Sequence, residues 1–241
     1  MFKIFLTVIT FVLPWSSYAG LSKLVSSIYY IQTIDIDQEC SIKKTIFSTS
    51  GEPLFKVCKQ NYNSCVIEGT CALVDDADSE PEQASESVGQ VSDDIELLNY
   101  VKSDKNGTPL FEAVDTSRCP YGMGVSNICL DPYYTVAADL NFYKAGDVIF
   151  IPQLKGLSLL NGEKHAGFMI VRDRGGAIKG STRFDFYTGF NHYTKDPNPF
   201  TDIGLSQSKN TFEFRRATPE ESLAFKKMRN YPNVPETEVK K

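Results

Sequence analysis

The sequence predicts a mainly β fold, a barrel or sandwich. Short runs rich in β-branched and aromatic residues recur along the chain, with Gly, Asn-Gly and Pro turns between them. Full helix-start chemistry stands out once, near the C-terminus. With 241 residues the chain is long enough to bury a substantial core.

Taken in order, residues 1–19 read as an export leader. Lys3 gives the positive start, Ile4 to Trp15 is apolar but short for a membrane span, and Ser17-Tyr18-Ala19 fits a small-x-small cleavage site. No Cys stands at the cleavage site after the apolar run, so a lipoprotein anchor is not indicated and no membrane anchor is expected after cleavage. Residues 20–73 read as strands packing on or completing a barrel: Ser26–Asp35, Thr45–Ser48, Leu54–Cys58 and Cys65–Glu68. Residues 74–94 carry acids, Ser, Gln and Pro without aromatics, the composition of a disordered insertion. Asp75, Asp76 and Asp78 cluster there, but the spacing and glycine of a calcium loop are missing.

Residues 95–230 are expected to form the barrel domain. Ile95–Val101 reads as a short helix capped by Asp93 or Asp94, and 109–130 as loop-rich. From Tyr134 to Tyr187 the pattern is strand and turn, and Thr211–Arg215 alternates like a further strand. Thr218-Pro219-Glu220-Glu221 predicts a capped helix running to about Arg229. Residues 231–241 read as a loose tail.

Six cysteines in an exported chain indicate disulfides. Cys119–Cys129 would staple the Pro120–Gly124 loop, and Cys40, Cys58, Cys65 and Cys71 would pair among themselves. No CxxC occurs and both histidines lie far downstream, so neither a metal nor a cofactor is indicated. The net charge of −5 is concentrated in the eight acids between Asp75 and Asp94. The remainder is near neutral, with no basic stripe, and nucleic acid is not an expected partner.

Three aspartates carry the chemistry. Asp139, Asp173 and Asp185 end or interrupt the apolar runs YTVAAD, HAGFMIVRD and RFDF. Burying a carboxylate is costly unless it is paired or protonated, so three on short strands suggest acids delivered to one site. Strand alternation puts Arg183, Asp185 and Tyr187 on one face, with Phe184 and Phe186 on the other. The same count puts His165, Gly167, Met169, Val171 and Asp173 on one face.

In order and spacing these segments resemble the three-aspartate (3D) domain of the membrane-bound lytic transglycosylase A family. The resemblance rests on Ala137-Ala138-Asp139, Gly146–Pro152, His165-Ala166-Gly167, Asp173-Arg174-Gly175-Gly176-Ala177-Ile178-Lys179-Gly180 and Phe184-Asp185-Phe186-Tyr187-Thr188-Gly189. It covers about a quarter of the chain. Asn106–Leu110 and Glu68-Gly69-Thr70 are similar to family segments only weakly. Two departures are an arginine at 174, where the family has a small or hydroxyl residue, and one extra residue between the second and third Asp.

The resemblance implies a double-psi β-barrel with added N-terminal strands and a short C-terminal helix. It implies a periplasmic or secreted enzyme cleaving peptidoglycan glycan strands into 1,6-anhydro ends. Asp185 would be general acid and then base, with Asp173 positioning it or stabilising charge on the sugar. Asp139, Gly175, Gly176, Lys179, Arg183, Tyr187 and His165 form the expected substrate-binding set. For His165 a hydrogen-bonded place in its strand, for Tyr187 a core position and for Asp139 a structural role are the plainer alternatives. The competing function is a polysaccharide-binding barrel without catalysis.

Overall fold

The computed structural model describes residues 20–74, 95–192 and 194–230. The leader, the acidic stretch from Asp75 to Asp94, residue 193 and the tail from Tyr231 lie outside the described residues. Six strands close a barrel: β1 (Ser22–Tyr29), β8 (Thr135–Ala138), β9 (Val148–Phe150), β10 (Phe168–Asp173), β11 (Arg183–Tyr187) and β12 (Thr211–Arg216). Their order around the barrel is β1-β11-β8-β10-β9-β12, with β1–β11 and β8–β10 parallel. The core holds Leu24, Val136, Ile149, Met169, Phe184, Phe186 and Phe214. This is the mainly β barrel class expected, short C-terminal helix included.

A second, six-stranded sheet is built from β2 (Gln32–Asp35), β3 (Lys43–Ser48), β4 (Pro53–Cys58), β5 (Thr70–Val74), β6 (Glu96–Ser103) and β7 (Pro109–Ala113), in the order β2-β5-β6-β7-β3-β4. Its core contains Ile34, Ile46, Val57, Leu73, Leu98 and Phe111. The run Ser26–Asp35 is therefore two strands in two sheets. β1 completes the barrel, the chain turns at Tyr30-Ile31, and β2 starts the second sheet. Residues 95–113, grouped with the barrel on sequence, pair with β5 and β3 instead.

Two local expectations are corrected. Cys65–Glu68 is not a strand but the last turn of α1 (Lys59–Glu68). Tyr62, Cys65 and Val66 recur at helical spacing and pack on the second sheet, which decides the period. Ile95–Val101 is not a helix; Leu97 and Leu98 are both fully buried within β6, held between β5 and β7. Tertiary pairing overrides a weak cap signal there.

The C-terminal helix forms as read. α3 (Pro219–Arg229), which follows the short α2 (Pro199–Asp202), has Thr218 and Glu221 as a reciprocal capping box. The disulfides are Cys40–Cys58, Cys65–Cys71 and Cys119–Cys129, the last as expected and the other four cysteines paired among themselves.

Candidate active site

Strand register assembles the acids. Ala137 of β8 is the in-register partner of Asp185 on β11 and of Asp173 on β10. Asp185 is in turn opposite Ser27 of β1. Ser27, Asp185, Ala137 and Asp173 thus form one row across four strands. In-register neighbours project to the same face. Two residues along, Tyr29 pairs with Tyr187, extending that face. Ala137, Tyr29 and Tyr187 belong to a cluster with Ala72 and Leu97 of the second sheet, whereas Phe184 and Phe186 fill the barrel. The row therefore lies on the outer face of the barrel, at its junction with the second sheet.

The face count along β10 needs a correction. Met169 and Val171 pack in the barrel core, yet Asp173 projects outward. The register shifts between Val171 and Asp173, and this β-bulge re-aims the carboxyl. Arg172, the residue within the shift, is fully buried and donates to the Cys129 carbonyl at 3.1 Å.

Asp173 accepts the Tyr29 hydroxyl at 3.0 Å and the Arg174 backbone N–H at 2.8 Å. Burial, more than the nearby Asp185, lifts its carboxyl from 3.8 to about 6. The Arg174 side chain is exposed, in keeping with its weak pull on that carboxyl. Burial also raises Asp185, against the opposing effects of Ser27 and Arg183. Asp185 Oδ1 is buried with no hydrogen-bond partner among the described residues. Arg183 donates to the Ser27 hydroxyl at 2.7 Å, spanning the same two strands beside the acid.

One acid near the row was missed on sequence. Glu68, ending α1, is raised from 4.5 to about 7 by burial and then by Asp185, while the Tyr30 backbone N–H works the other way. The only signal for it in the sequence was the weakly matching Glu68-Gly69-Thr70 segment.

Other expected residues sit elsewhere. Asp139 is 7 % exposed and its oxygens are occupied: Oδ1 accepts Asn141 N and Nδ2, and Oδ2 accepts the Gly180 N–H at 2.9 Å. The Gly180 bond is the chief reason its carboxyl is lowered. Asp139 thus fastens the end of β8 to the turn leading into β11, and Lys179 lies near enough to favour its charge.

His165 is 1 % exposed, buried within the fold. It bonds the Tyr133 carbonyl through Nε2 at 2.8 Å, accepts the Gly167 N–H at Nδ1 and stacks on Tyr134. Tyr187 is likewise buried; its hydroxyl donates to the Tyr121 carbonyl in the disulfide loop at 2.7 Å. Both satisfy buried polar groups within the fold. Gly175 closes on Ile178, whose Cγ1 would lie 2.5 Å from an added Cβ, while Gly176 faces open space.

A separate cavity of about 310 Å³, lined by Tyr121, Asp131, Tyr134, Glu163 and Arg229, shares no residue with the acid row. Asp131 there accepts two hydrogen bonds from Arg229.

Against this geometry the comparison with known proteins is direct. Residues 134–196 match the model of the 3D domain. That stretch contains Asp139, Asp173 and Asp185 and bears out the resemblance read from the sequence. Among solved structures, E. coli MltA with bound chitohexaose shares 14% identity and a TM-score of 0.50, over 81% of this chain and 72% of that one. A membrane-bound lytic murein transglycosylase from Agrobacterium tumefaciens shares 12% identity and a TM-score of 0.50, over 80% and 73%. At these identities the likeness is one of fold. No curated protein matches the chain.

Proposed function

We propose that the chain is an exported peptidoglycan lytic transglycosylase, acting in the periplasm or outside the cell. The observation that carries this is the buried, unpartnered Oδ1 of Asp185, set in a row with Asp173 inside a 3D-domain match. Two carboxyls with raised pKa are what glycosidic cleavage requires of an acid near neutrality. The MltA structure holding chitohexaose supports a glycan as the ligand of this fold.

In this reading Asp185 donates its proton to the glycosidic oxygen as the bond from C1 breaks. Asp173, ionised above about pH 6, faces the positive charge that develops on the ring. The Asp185 carboxylate then takes the proton of the C6 hydroxyl as that oxygen bonds to C1. The product is a 1,6-anhydro sugar, no water is consumed, and Asp185 ends the cycle protonated. Arg183 and Ser27 hold one side of the acid. Lys179, exposed on the turn above, and the open Gly176 are the groups left to meet substrate.

The test is mass spectrometry of fragments released from bacterial sacculi by wild type and Asp185→Asn. Anhydro-muropeptides from wild type alone are expected. Reducing-end sugars would mean hydrolysis. Binding without release would leave a non-catalytic glycan-binding barrel.

A further inference from the structure

Between Val171 and Asp173, β10 carries one residue more than β8. Val171 is in register with Val136 and Asp173 with Ala137, so Arg172 is the residue left unmatched. Without the bulge, Arg172 would stand opposite Ala137 and Asp173 opposite Ala138. Ala138 packs in the barrel core, whereas Ala137 lies in the acid row. A slip of one residue would therefore turn the Asp173 carboxyl towards the core and bring a guanidinium into the row.

The bulge is gripped from two directions. The buried Arg172 side chain donates from Nη1 to the Cys129 carbonyl at 3.1 Å, and its Nη2 lies 3.7 Å from Asp131 Oδ2. Asp131 is itself buried and held. Arg229 of α3 donates to both of its carboxyl oxygens, at 3.1 and 2.8 Å, and its own N–H donates to the Thr135 hydroxyl at 2.8 Å. Cys129 is tied to Cys119 by the disulfide. On the main-chain side, an added Cβ at Gly124 would lie 2.2 Å from the Arg172 carbonyl oxygen, so the disulfide loop closes directly on the backbone of the bulge.

Stability alone does not call for this arrangement. Taking a guanidinium and a carboxylate out of water is costly, and apolar side chains of similar volume are often at least as stable in such places. What the pair adds is a fixed geometry for residue 172 and, through the adjoining peptide, for Asp173.

We propose that Arg172 is a positioning residue of the acid site. Held by Asp131 and the Cys129 carbonyl, it keeps the bulge open and so aims the Asp173 carboxyl into the row, where Tyr29 meets it at 3.0 Å. Gly124 serves the same end by leaving room for the Arg172 carbonyl. Arg172 acts through Asp173 and touches neither substrate nor reacting atoms. The role rests on the glycan-cleaving reading of Asp173 and Asp185, while the Tyr29–Asp173 bond that reports it is present whether or not the chain cleaves glycan.

Two measurements on Arg172→Met decide it, since methionine fills much of the same space without the grip. In sacculus cleavage kcat should fall about a hundredfold with KM within about twofold of wild type, the pattern of a displaced reacting group. Carboxyl titration by ¹³C NMR supplies the second reading. Tyr29→Phe should raise the Asp173 midpoint in the wild-type background and leave it unmoved in the Arg172→Met background, because the carboxyl no longer meets that hydroxyl. Arg172→Lys keeps a charge opposite Asp131 and a donor for Cys129, and should restore the Tyr29 effect and bring kcat to within about tenfold of wild type. A wild-type kcat in folded Arg172→Met, an undiminished Tyr29 effect in it, or no recovery in Arg172→Lys overturns the proposal. If Arg172→Met does not fold, Gly124→Ala is read by the same two measurements: it leaves Arg172 in place and displaces its carbonyl, and wild-type behaviour there overturns the proposal equally. If wild type releases no glycan fragments, the enzymatic reading fails separately, and the Tyr29–Asp173 titrations still decide the positioning.

Discussion

The hydroxyl of Tyr29 reaches across 144 residues of sequence to donate to Asp173 Oδ2 at 3.0 Å. It ties the first strand of the barrel to the strand that ends in an acid. The bond favours the ionised carboxyl, opposing the burial that raises it. Tyr29→Phe should therefore move the Asp173 titration to higher pH. Its cost in stability should be about 1 kcal/mol, read by chemical denaturation.

Asp173 also makes stability depend on pH. Its folded-state value is about 6 against an ordinary 3.8, so between those values the folded chain keeps a proton that the unfolded chain has released. The stabilisation is complete below about pH 4 and is lost as pH rises through 6, with a full span of about 3 kcal/mol. Asp173→Asn removes this loss. Thermal melts from pH 4 to pH 8 should show the variant gaining on wild type as pH rises, even as turnover declines.

His165 is expected to act in the opposite sense. Burial holds it at about 4, below its ordinary 6.5, so the unfolded chain takes up the proton first as pH falls. Stability present above pH 6.5 is lost as pH drops towards 4. His165→Ala should flatten that decline while costing about 2 to 4 kcal/mol at pH 7, from the cavity and the unpaired Tyr133 carbonyl and Gly167 N–H. Carboxyl titration of Asp173 in the refolded variant should be unmoved, because His165 does not act on it.

The paired glycines should respond unequally. Gly175→Ala places a methyl 2.5 Å from Ile178 Cγ1 and should cost about 1 to 3 kcal/mol through displacement of that buried side chain. Gly176→Ala meets nothing within 4 Å and should leave the melting temperature nearly unchanged. Any loss of activity in Gly176→Ala with intact stability would point to ligand approach at that position.

The barrel was legible because its strands obey a period of two and its punctuation is local. RFDF alternates between core and acid face as the structure has it, and Thr218 to Glu221 announces a helix by chemistry contained in four residues. What could not be read depends on distant pairing. The bulge at Arg172 that turns Asp173 outward leaves no mark in the composition of that strand. The break at Tyr30-Ile31 is hidden inside an unbroken β-branched run. The influence of Asp185 on Glu68 depends on where α1 packs, and strand periodicity does not report that. His165 entered the expected substrate-binding set through the resemblance, and the structure places it in the plainer alternative, a buried connector between Tyr133 and Gly167.

β1 enters the barrel between β11 and β12, and Arg183 bonds Ser27 over a separation of 156 residues. Closure of the barrel must therefore wait until almost the whole chain is available, with the second sheet lying between the two partners in sequence. Loop-closure entropy of that size is repaid only late, so the rate-limiting event in folding should be docking of the first strand. A chain emerging N-terminus first would hold Ser22–Tyr29 unpaired through most of its synthesis. Until that strand docks, Asp185 lacks its neighbour Ser27 and Asp173 lacks the Tyr29 hydroxyl. The acid row would thus be assembled last, and an incompletely folded chain would not carry it.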